Sequence, residues 1–249
     1  MDQSRPMFTD RWGGSFHLIE PGEFVMGDSV GSGARHEHPP HSLTIESPFF
    51  FGERLVTQAQ WLDVMGENPS KFQEGWSAGL RPVESICFDE VMVFLEQLNQ
   101  LEGDQERLGF IGKWRIPSES EWEYVARCGT KGRWWFGNSD TELDDYGWHA
   151  GNAGSSTREV GLKKPNSWGI HDMNGLVAEW CMDHWVRNYD VRRKQKPFTI
   201  EGTTRRVIRG GSWFTESDST RSSARSSADE SKSSDGIGLR LIWEPQTPS

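Results

Sequence analysis

The sequence predicts an α+β domain with little regular secondary structure, made of short strands, a few helices and long ordered loops. Its 249 residues include 13 Trp and 27 Gly, a mixture that long helices and strands do not require. Large rings fill a core, and glycines allow the backbone to turn tightly. The stretch 130–212 shows no regular apolar period, yet it is too rich in aromatic rings to be disordered. We therefore expect an irregular but packed fold.

Strands are predicted where short apolar runs lie between turn-forming residues. The first pair of runs flanks a Pro21-Gly22 turn, and the last pair flanks a Ser- and Asp-rich stretch at 214–236. Because that stretch lies between two strong strand signals, we expect it to be an ordered loop that crosses the surface. The predicted strands are 16–19, 24–26, 43–45, 49–51, 206–209 and 237–243.

Helices are predicted at three places. Thr57-x-x-Gln60 and Ser118-x-x-Glu121 are capping-box patterns, in which side chains and backbone N–H groups at a helix start satisfy one another. The run 88–101 has apolar residues at helical spacing.

Composition and charge exclude several classes of protein. The net charge is −10 and the isoelectric point is near 5.2, which disfavours binding to nucleic acid. Mean hydropathy is −0.70, and no apolar run approaches the ~18 residues that cross a bilayer. The first ten residues lack the apolar region of a secretory signal. We predict a monomeric cytoplasmic protein that binds neither nucleic acid nor membrane.

The three cysteines form no C-x-x-C pair. An odd, sparse set argues against a disulfide framework and fits a reducing compartment. Free cysteines are usually buried and behave as small hydrophobic residues. We expect that role for Cys87, Cys128 and Cys181.

The order of the longer motifs resembles one known family. The motifs are PGEFVMG at 21–27, HPPHSLTIESPFFFGERLVTQAQW at 38–61, RPVESICFDEVMVFLEQLN at 81–99, WRIPSESEWEYVARCG at 114–129, PNSWGIHDMNGLVAEW at 165–180, RVIRGGSW at 206–213 and GIGLRLIWEP at 236–245. Together they resemble the formylglycine-generating enzymes, or sulfatase-modifying factors, over residues 13–245. The resemblance implies that 1–249 is a single domain, a variant of the C-type lectin fold with two main helices and small antiparallel sheets.

The resemblance also predicts that the chemistry of the family's enzymes is absent. Those enzymes place two cysteines after a GGS-aromatic motif and use them to bind copper(I). A soft monovalent metal needs thiolates, because hydroxyl groups are poor ligands for it. The matching positions here, after Gly210-Gly211-Ser212-Trp213, are Thr215 and Thr220. We therefore expect neither copper nor formylglycine-generating oxidase activity.

A calcium site is the one cofactor that the resemblance suggests. In the family, the stretch matching 173–180 can surround Ca²⁺ with oxygen ligands, the class that this ion prefers. The ligands expected here are the Gly175 and Val177 carbonyls and the Glu179 side chain, while Leu176 fills a position where an Asn would ligate. The alternative is that Glu179 makes a buried hydrogen bond or ion pair.

The segment 213–236 carries the functional hypothesis. Family members include the variable proteins of diversity-generating retroelements, in which this segment forms an exposed ligand-binding face among scaffold arginines, here Arg221, Arg225 and Arg240. Variable polar residues on a fixed scaffold suit recognition. We predict a non-catalytic recognition module for a protein or a small polar ligand, and we add the narrower hypothesis that the segment is diversified in this way. The candidate ligand-binding residues are Trp213, Phe214, Thr215, Glu216, Asp218, Thr220, Ser226, Asp229 and Asp235.

Two other interpretations stay open at this stage. One is an oxidoreductase-like tailoring enzyme, comparable to the family's pyoverdine-maturation member, which works without the cysteine pair. Its candidate residues are His184, Trp213, Glu216 and Asp218. The other is a metal site at His36-x-His38-x-x-His41, because imidazoles bind zinc, iron and copper. A solvated loop with two prolines is the simpler interpretation of that histidine stretch.

Overall fold

The computed structural model describes residues 5–102, 105–189 and 202–246. In these residues it contains four α-helices and thirteen short strands, joined by long loops, which confirms the predicted α+β class. No helix in the described ranges is long and apolar enough to cross a bilayer.

The largest sheet has five strands in the order β1-β2-β5-β13-β6. All its pairings are antiparallel, and β5 lies between the N-terminal hairpin β1–β2 and the strand β13. The strands are β1 Met7–Thr9, β2 Ser15–Ile19, β5 Phe49–Gly52, β13 Ile242–Pro245 and β6 Gly112–Arg115.

A second sheet has four strands in the order β11-β10-β9-β12 and carries the segment of functional interest. Its β9–β12 pairing is parallel, and the other two pairings are antiparallel. The remaining strands form two small pairs, β3–β4 antiparallel and β7–β8 parallel. The bounds are β3 Gly22–Met26, β4 His41–Ile45, β7 Gly147–Trp148, β8 Asn174–Gly175, β9 Ala178–His184, β10 Arg205–Arg209, β11 Arg225–Asp229 and β12 Ile237–Gly238.

The three predicted helices begin where the sequence predicts, and a fourth, the short helix α4 Leu143–Tyr146, was not predicted. Both capping boxes are present: Thr57 accepts the backbone N–H of Gln60, and Ser118 accepts that of Glu121. The helices are α1 Gln58–Met65, α2 Phe88–Glu102, α3 Glu119–Arg127 and α4 Leu143–Tyr146.

Tryptophans dominate the core, as the composition predicts. Five of them are less than 2% exposed, and the ring of Trp61 stacks on Phe94 of α2 at 4.8 Å. Two large clusters share the core, one around α2 and the five-stranded sheet, the other around α3. The five buried tryptophans are Trp61, Trp122, Trp134, Trp180 and Trp243.

Two strand predictions are wrong in detail. The segment 214–236 contains a 3₁₀ turn, Ser217–Thr220, and the strand β11, although its Ser-rich sequence has little strand propensity. Pairing with β10 overrides that propensity. The run 237–243 is two strands rather than one, because the chain leaves the four-stranded sheet after β12 and joins the five-stranded sheet at β13.

The cysteine prediction holds for two of the three residues. Cys128 and Cys181 are buried, while Cys87 is partly exposed. Burial raises the pKa of Cys181 well above its usual range, so its thiol stays protonated.

Candidate functional site: a polar cleft on the 213–236 segment

The cleft begins where the Gly-Gly-Ser-Trp motif turns the chain away from β10. Gly210 and Gly211 have φ values of 98° and 72°, which side-chain-bearing residues rarely adopt. A Cβ on Gly211 would lie 3.0 Å from the Ser219 carbonyl oxygen. The Thr215 hydroxyl accepts the Ser212 N–H at 2.8 Å and donates to the Ser212 carbonyl at 3.1 Å. This turn therefore directs the next residues over the sheet edge.

The cleft encloses about 420 Å³, enough for a small ligand or a few side chains of a protein partner. Its walls come from four parts of the chain: the loop 34–37, Ala178 of β9, the stretch 208–226 and the residues 234–237. Phe214 stands at the cleft with 48% of its surface exposed, and Ser226 is also exposed. The cleft thus combines one exposed aromatic ring with several hydroxyl groups.

A buried ion pair forms one part of the cleft floor. Two nitrogens of the Arg221 guanidinium each donate to one oxygen of Glu37 at 2.8 Å, and the Ser223 hydroxyl donates to the same carboxylate at 2.7 Å. Burial alone would raise the pKa of Glu37, but these hydrogen bonds outweigh it and lower the pKa to about 2. Glu37 is therefore charged at any physiological pH.

A second buried pair lies beside it. Arg225 donates two hydrogen bonds to Glu119 of α3, at 2.5 and 2.7 Å. Its remaining nitrogen donates to the His36 and Val186 carbonyls, both at 3.0 Å. Arg225 thus joins β11 to three other parts of the chain.

A third arginine, Arg209, binds the residues that lead into β11. Arg209 of β10 pairs with Glu123 of α3 and donates to the carbonyls of Ser222 and Ala224, at 3.0 and 2.8 Å. These carbonyls belong to the chain that leads into β11. The Arg221–Glu37 and Arg225–Glu119 pairs are bidentate, which fixes the orientation of these side chains as well as their distance.

The structure brings four of the nine predicted ligand-binding residues to the cleft. They are Phe214, Thr215, Asp218 and Ser226. Asp218 is exposed and pairs with Arg133 at the rim. The Thr215 hydroxyl forms hydrogen bonds with Ser212 within the turn described above.

Three more predicted residues lie beside the cleft. The Trp213 indole donates to the Asp235 carbonyl at 2.9 Å, and its ring packs edge-on against Phe214 at 5.0 Å. The Asp235 carboxylate pairs with Lys71. Glu216 is exposed, but it does not line the cleft.

Two predicted residues lie away from the cleft. Thr220 is buried: its hydroxyl accepts the Trp134 indole N–H at 3.0 Å and donates to the Ser217 carbonyl at 2.7 Å. Asp229 ends β11 at the far side from the cleft, where it accepts from Thr204 at 2.9 Å. Neither side chain lines the cleft.

The copper-binding positions of the related enzymes hold hydroxyls that serve the local fold. Thr215 stabilises the turn and Thr220 supports Trp134, so both oxygens have partners within the loop. Hydroxyls of this kind are poor ligands for copper(I). The residues present do not fit a copper site.

The loop 175–179 is arranged around an ion pair. Both carboxylate oxygens of Glu179 accept from Arg240, at 2.9 and 3.0 Å, and Glu179 is fully buried. Both oxygens of the carboxylate expected to bind Ca²⁺ are thus used by Arg240, which is the alternative role that the sequence suggests for Glu179. The calcium site stays a prediction.

The histidines of the predicted metal cluster have separate contacts. His36 packs edge-on against Trp185 at 5.4 Å, His38 lies 3.6 Å from Asp28, and His41 packs on Tyr189. No group of three metal-ligating side chains is found among the described residues.

The candidates for an enzyme do not converge on the cleft. Of His184, Trp213, Glu216 and Asp218, only Asp218 lines it. Burial and the nearby Arg206 lower the pKa of His184.

Sequence reasoning missed one wall of the cleft. Ala34, His36 and Glu37 come from the loop that the sequence predicts to be solvated surface, and 189 positions separate His36 from Arg225 at the start of β11. The sequence did contain a hint. Glu37 is an acidic residue within this loop, and the family resemblance predicts scaffold arginines at Arg221, Arg225 and Arg240. Those arginines need buried acidic partners.

Comparison with known proteins agrees with the fold and the motifs. The sulfatase-modifying factor enzyme 1-like domain matches residues 9–245. The chain is 28% identical to a chaperone protein, LppX, of Paenibacillus barcinonensis, over 90% of this chain and 88% of that protein.

Two solved structures have the same fold. Treponema denticola variable protein 1 is 28% identical, with a TM-score of 0.84 over 96% of this chain and 99% of that one. PvdO from Pseudomonas aeruginosa is 23% identical, with a TM-score of 0.85 over 98% of this chain and 100% of that one, a likeness that concerns the fold alone. The chain belongs to the sulfatase-modifying factor family of formylglycine-generating-enzyme-like domains.

Proposed function

We propose that this protein is a non-catalytic recognition module whose binding site is the cleft on segment 213–236. The observation that carries the proposal is that the residues that stabilise this segment differ from those that it exposes at the cleft. Arg209, Arg221 and Arg225 are buried in ion pairs, whereas Phe214 and Ser226 are exposed at the cleft. Exposed residues on a rigid floor can contact a ligand without disturbing the fold.

The chemistry of the cleft supports a polar ligand with a small apolar part. Phe214 offers a ring for packing, Ser226 offers a hydroxyl, and Asp218 adds a carboxylate at the rim. The charged side chains of the cleft floor are paired with one another, Arg221 with Glu37 and Arg225 with Glu119, so they do not attract a charged ligand. A small polar molecule, or a polar loop of a protein, fits this description.

The similarity to Treponema denticola variable protein 1 supports the same proposal. The family resemblance assigns ligand binding in variable proteins to the matching segment. Genetic diversification of segment 213–236 is part of the proposal, and sequencing the gene from several isolates tests it. Substitutions confined to exposed positions such as 214, 218 and 226 support it.

The binding proposal is tested with two matched variants. Ser226→Arg fills the cleft, whereas Ser233→Arg places the same side chain on an exposed serine that does not line it. Each variant and the original protein are immobilised, exposed to extract of the source cells, and the retained molecules are identified by mass spectrometry. We expect a molecule that is retained by the original protein and by Ser233→Arg but lost with Ser226→Arg.

Identical retention by all three proteins contradicts the proposal. Elemental analysis of protein purified without chelators or an affinity tag tests the enzymatic alternative. Stoichiometric copper or iron would overturn the non-catalytic interpretation and direct attention to an oxygen-dependent reaction.

A further inference from the structure

A second cavity of about 290 Å³ lies between the loop after β1 and the start of α1. It shares no lining residue with the cleft on segment 213–236. Its walls are mostly apolar, and its polar side chains are those of Asp10, Ser15, Thr57, Gln60 and the rim residue Arg54. The two sites can therefore be studied separately.

Asp10 is the unusual residue of this cavity. It is only 8% exposed, and no Lys, Arg or His within the described ranges lies at ion-pair distance from it. By contrast, the buried Glu37, Glu119 and Glu123 each pair with an arginine. Burying an unpaired charge is costly, and such groups concentrate at functional sites.

The neighbouring charges do not compensate Asp10. Burial raises its pKa. The more distant Glu102 and Arg107 act on that pKa in opposite directions because they carry opposite charges, and they form an ion pair with each other. Arg54 at the rim lies 3.2 Å from Glu53, and the charge of Glu53 balances that of Arg54. The cavity therefore presents one uncompensated negative charge.

The Asp10 carboxylate also retains hydrogen-bonding capacity. Oδ1 accepts the N–H groups of Trp12 and Gly14, at 2.9 and 2.7 Å, and Oδ2 accepts only from the Gln60 side chain, at 3.2 Å. A carboxylate offers about four acceptor positions, so one remains. A Cβ on Gly14 would lie 2.9 Å from Oδ2, which means that the glycine keeps the space before this oxygen open.

We propose that this cavity binds a small organic amine. Its ammonium group would donate to Oδ2 of Asp10, and its apolar body would pack against Trp12, Val56 and Leu80, which line the same cavity. A cation supplies the missing charge, whereas a neutral hydroxyl supplies only a hydrogen bond. The net charge of −10 also favours the approach of a cation.

Benzylamine and benzyl alcohol are matched probes, because they share the ring and differ in charge. Binding is followed by calorimetry and by NMR of the Trp12 indole N–H, which donates to Asp63 at the edge of the site. For a ligand of this size we expect a Kd in about the millimolar range. Benzyl alcohol should bind at least about tenfold more weakly, because it lacks the charge that pairs with Asp10. A tenfold change in Kd corresponds to about 1.4 kcal/mol.

Three variants localise the binding. Asp10→Asn keeps the acceptor for Trp12 and Gly14 but removes the charge, and Gly14→Ala fills the space before Oδ2; each should weaken benzylamine binding at least about tenfold. Ser226→Arg, in the other site, should leave it unchanged. Thermal unfolding shows whether each variant is folded, and if Asp10→Asn is not, Gly14→Ala decides.

The proposal is overturned by any of three results. These are equal affinities for benzylamine and benzyl alcohol, benzylamine binding that survives both Asp10→Asn and Gly14→Ala, or no saturable binding of benzylamine at all.

Discussion

Replacing Glu37 by Gln should destabilise the protein by about 2 to 3 kcal/mol at pH 7. The structure lowers the pKa of Glu37 from 4.5 to about 2, chiefly through hydrogen bonds from Arg221, Ala34 and Ser223 that outweigh burial. A shift of about 2.5 units at 1.36 kcal/mol per unit gives roughly 3 kcal/mol, and residual solvent screening reduces it. Gln keeps the shape of the side chain but loses the charge that Arg221 requires.

The effect should depend on pH in a defined direction. Because the folded-state pKa is depressed, the stabilisation is complete above the ordinary pKa of 4.5 and is lost as pH falls towards 2. Urea unfolding of the original protein and of Glu37→Gln at pH 7, 5, 4 and 3 measures this. The difference in unfolding free energy should shrink steadily below pH 5.

Glu244→Gln is the matched control. Glu244 also contacts an arginine, Arg115, at 3.2 Å, but its side chain is 51% exposed. Surface pairs of this kind contribute about 0 to 1 kcal/mol. If Glu37→Gln costs no more than Glu244→Gln, or if its cost is the same at pH 3 and pH 7, the ion pair does not stabilise the cleft floor as argued.

Three further results are expected. Thr220→Val should lower the unfolding free energy by about 1 to 3 kcal/mol in urea titration, because it leaves the Trp134 indole N–H buried without an acceptor; an unchanged value contradicts this role. Gly236→Ala places a Cβ 2.2 Å from the Phe214 ring, so it should displace the ring and reduce ligand retention in the capture experiment, with little change in Tm. Millimolar Ca²⁺ should leave Tm unchanged while Glu179 is held by Arg240, and a clear rise would support the calcium site.

Local signals in the sequence were sufficient for the three longer helices, but not for α4. A capping box depends on residues three apart, so Thr57 with Gln60 and Ser118 with Glu121 mark helix starts without knowledge of the rest of the fold. The position of α2 follows from the periodicity of its apolar residues in the same way. The richness in Trp and Gly likewise predicted a core of rings within an irregular chain.

Long-range pairings could not be read in this way. The strand β11 has a Ser-rich sequence and exists because β10 pairs with it and Arg225 is buried against Glu119. The wall at 34–37 depends on Glu37 meeting Arg221 across 184 positions of sequence. Both features arise from tertiary contacts, which override local propensity.

The buried pairs explain how one fold can carry many different binding faces. Arg221 is paired with Glu37, and Arg225 with Glu119, so the charged groups of the floor satisfy one another. Removing one member of such a pair is costly, whereas changing an exposed residue usually alters stability by less than about 0.5 kcal/mol. Phe214 and Ser226 can therefore be replaced almost freely while the cleft keeps its shape. Under the proposed function, specificity would reside in residues that do not hold the fold together, which is the condition that a recognition module must meet if its ligand changes over time.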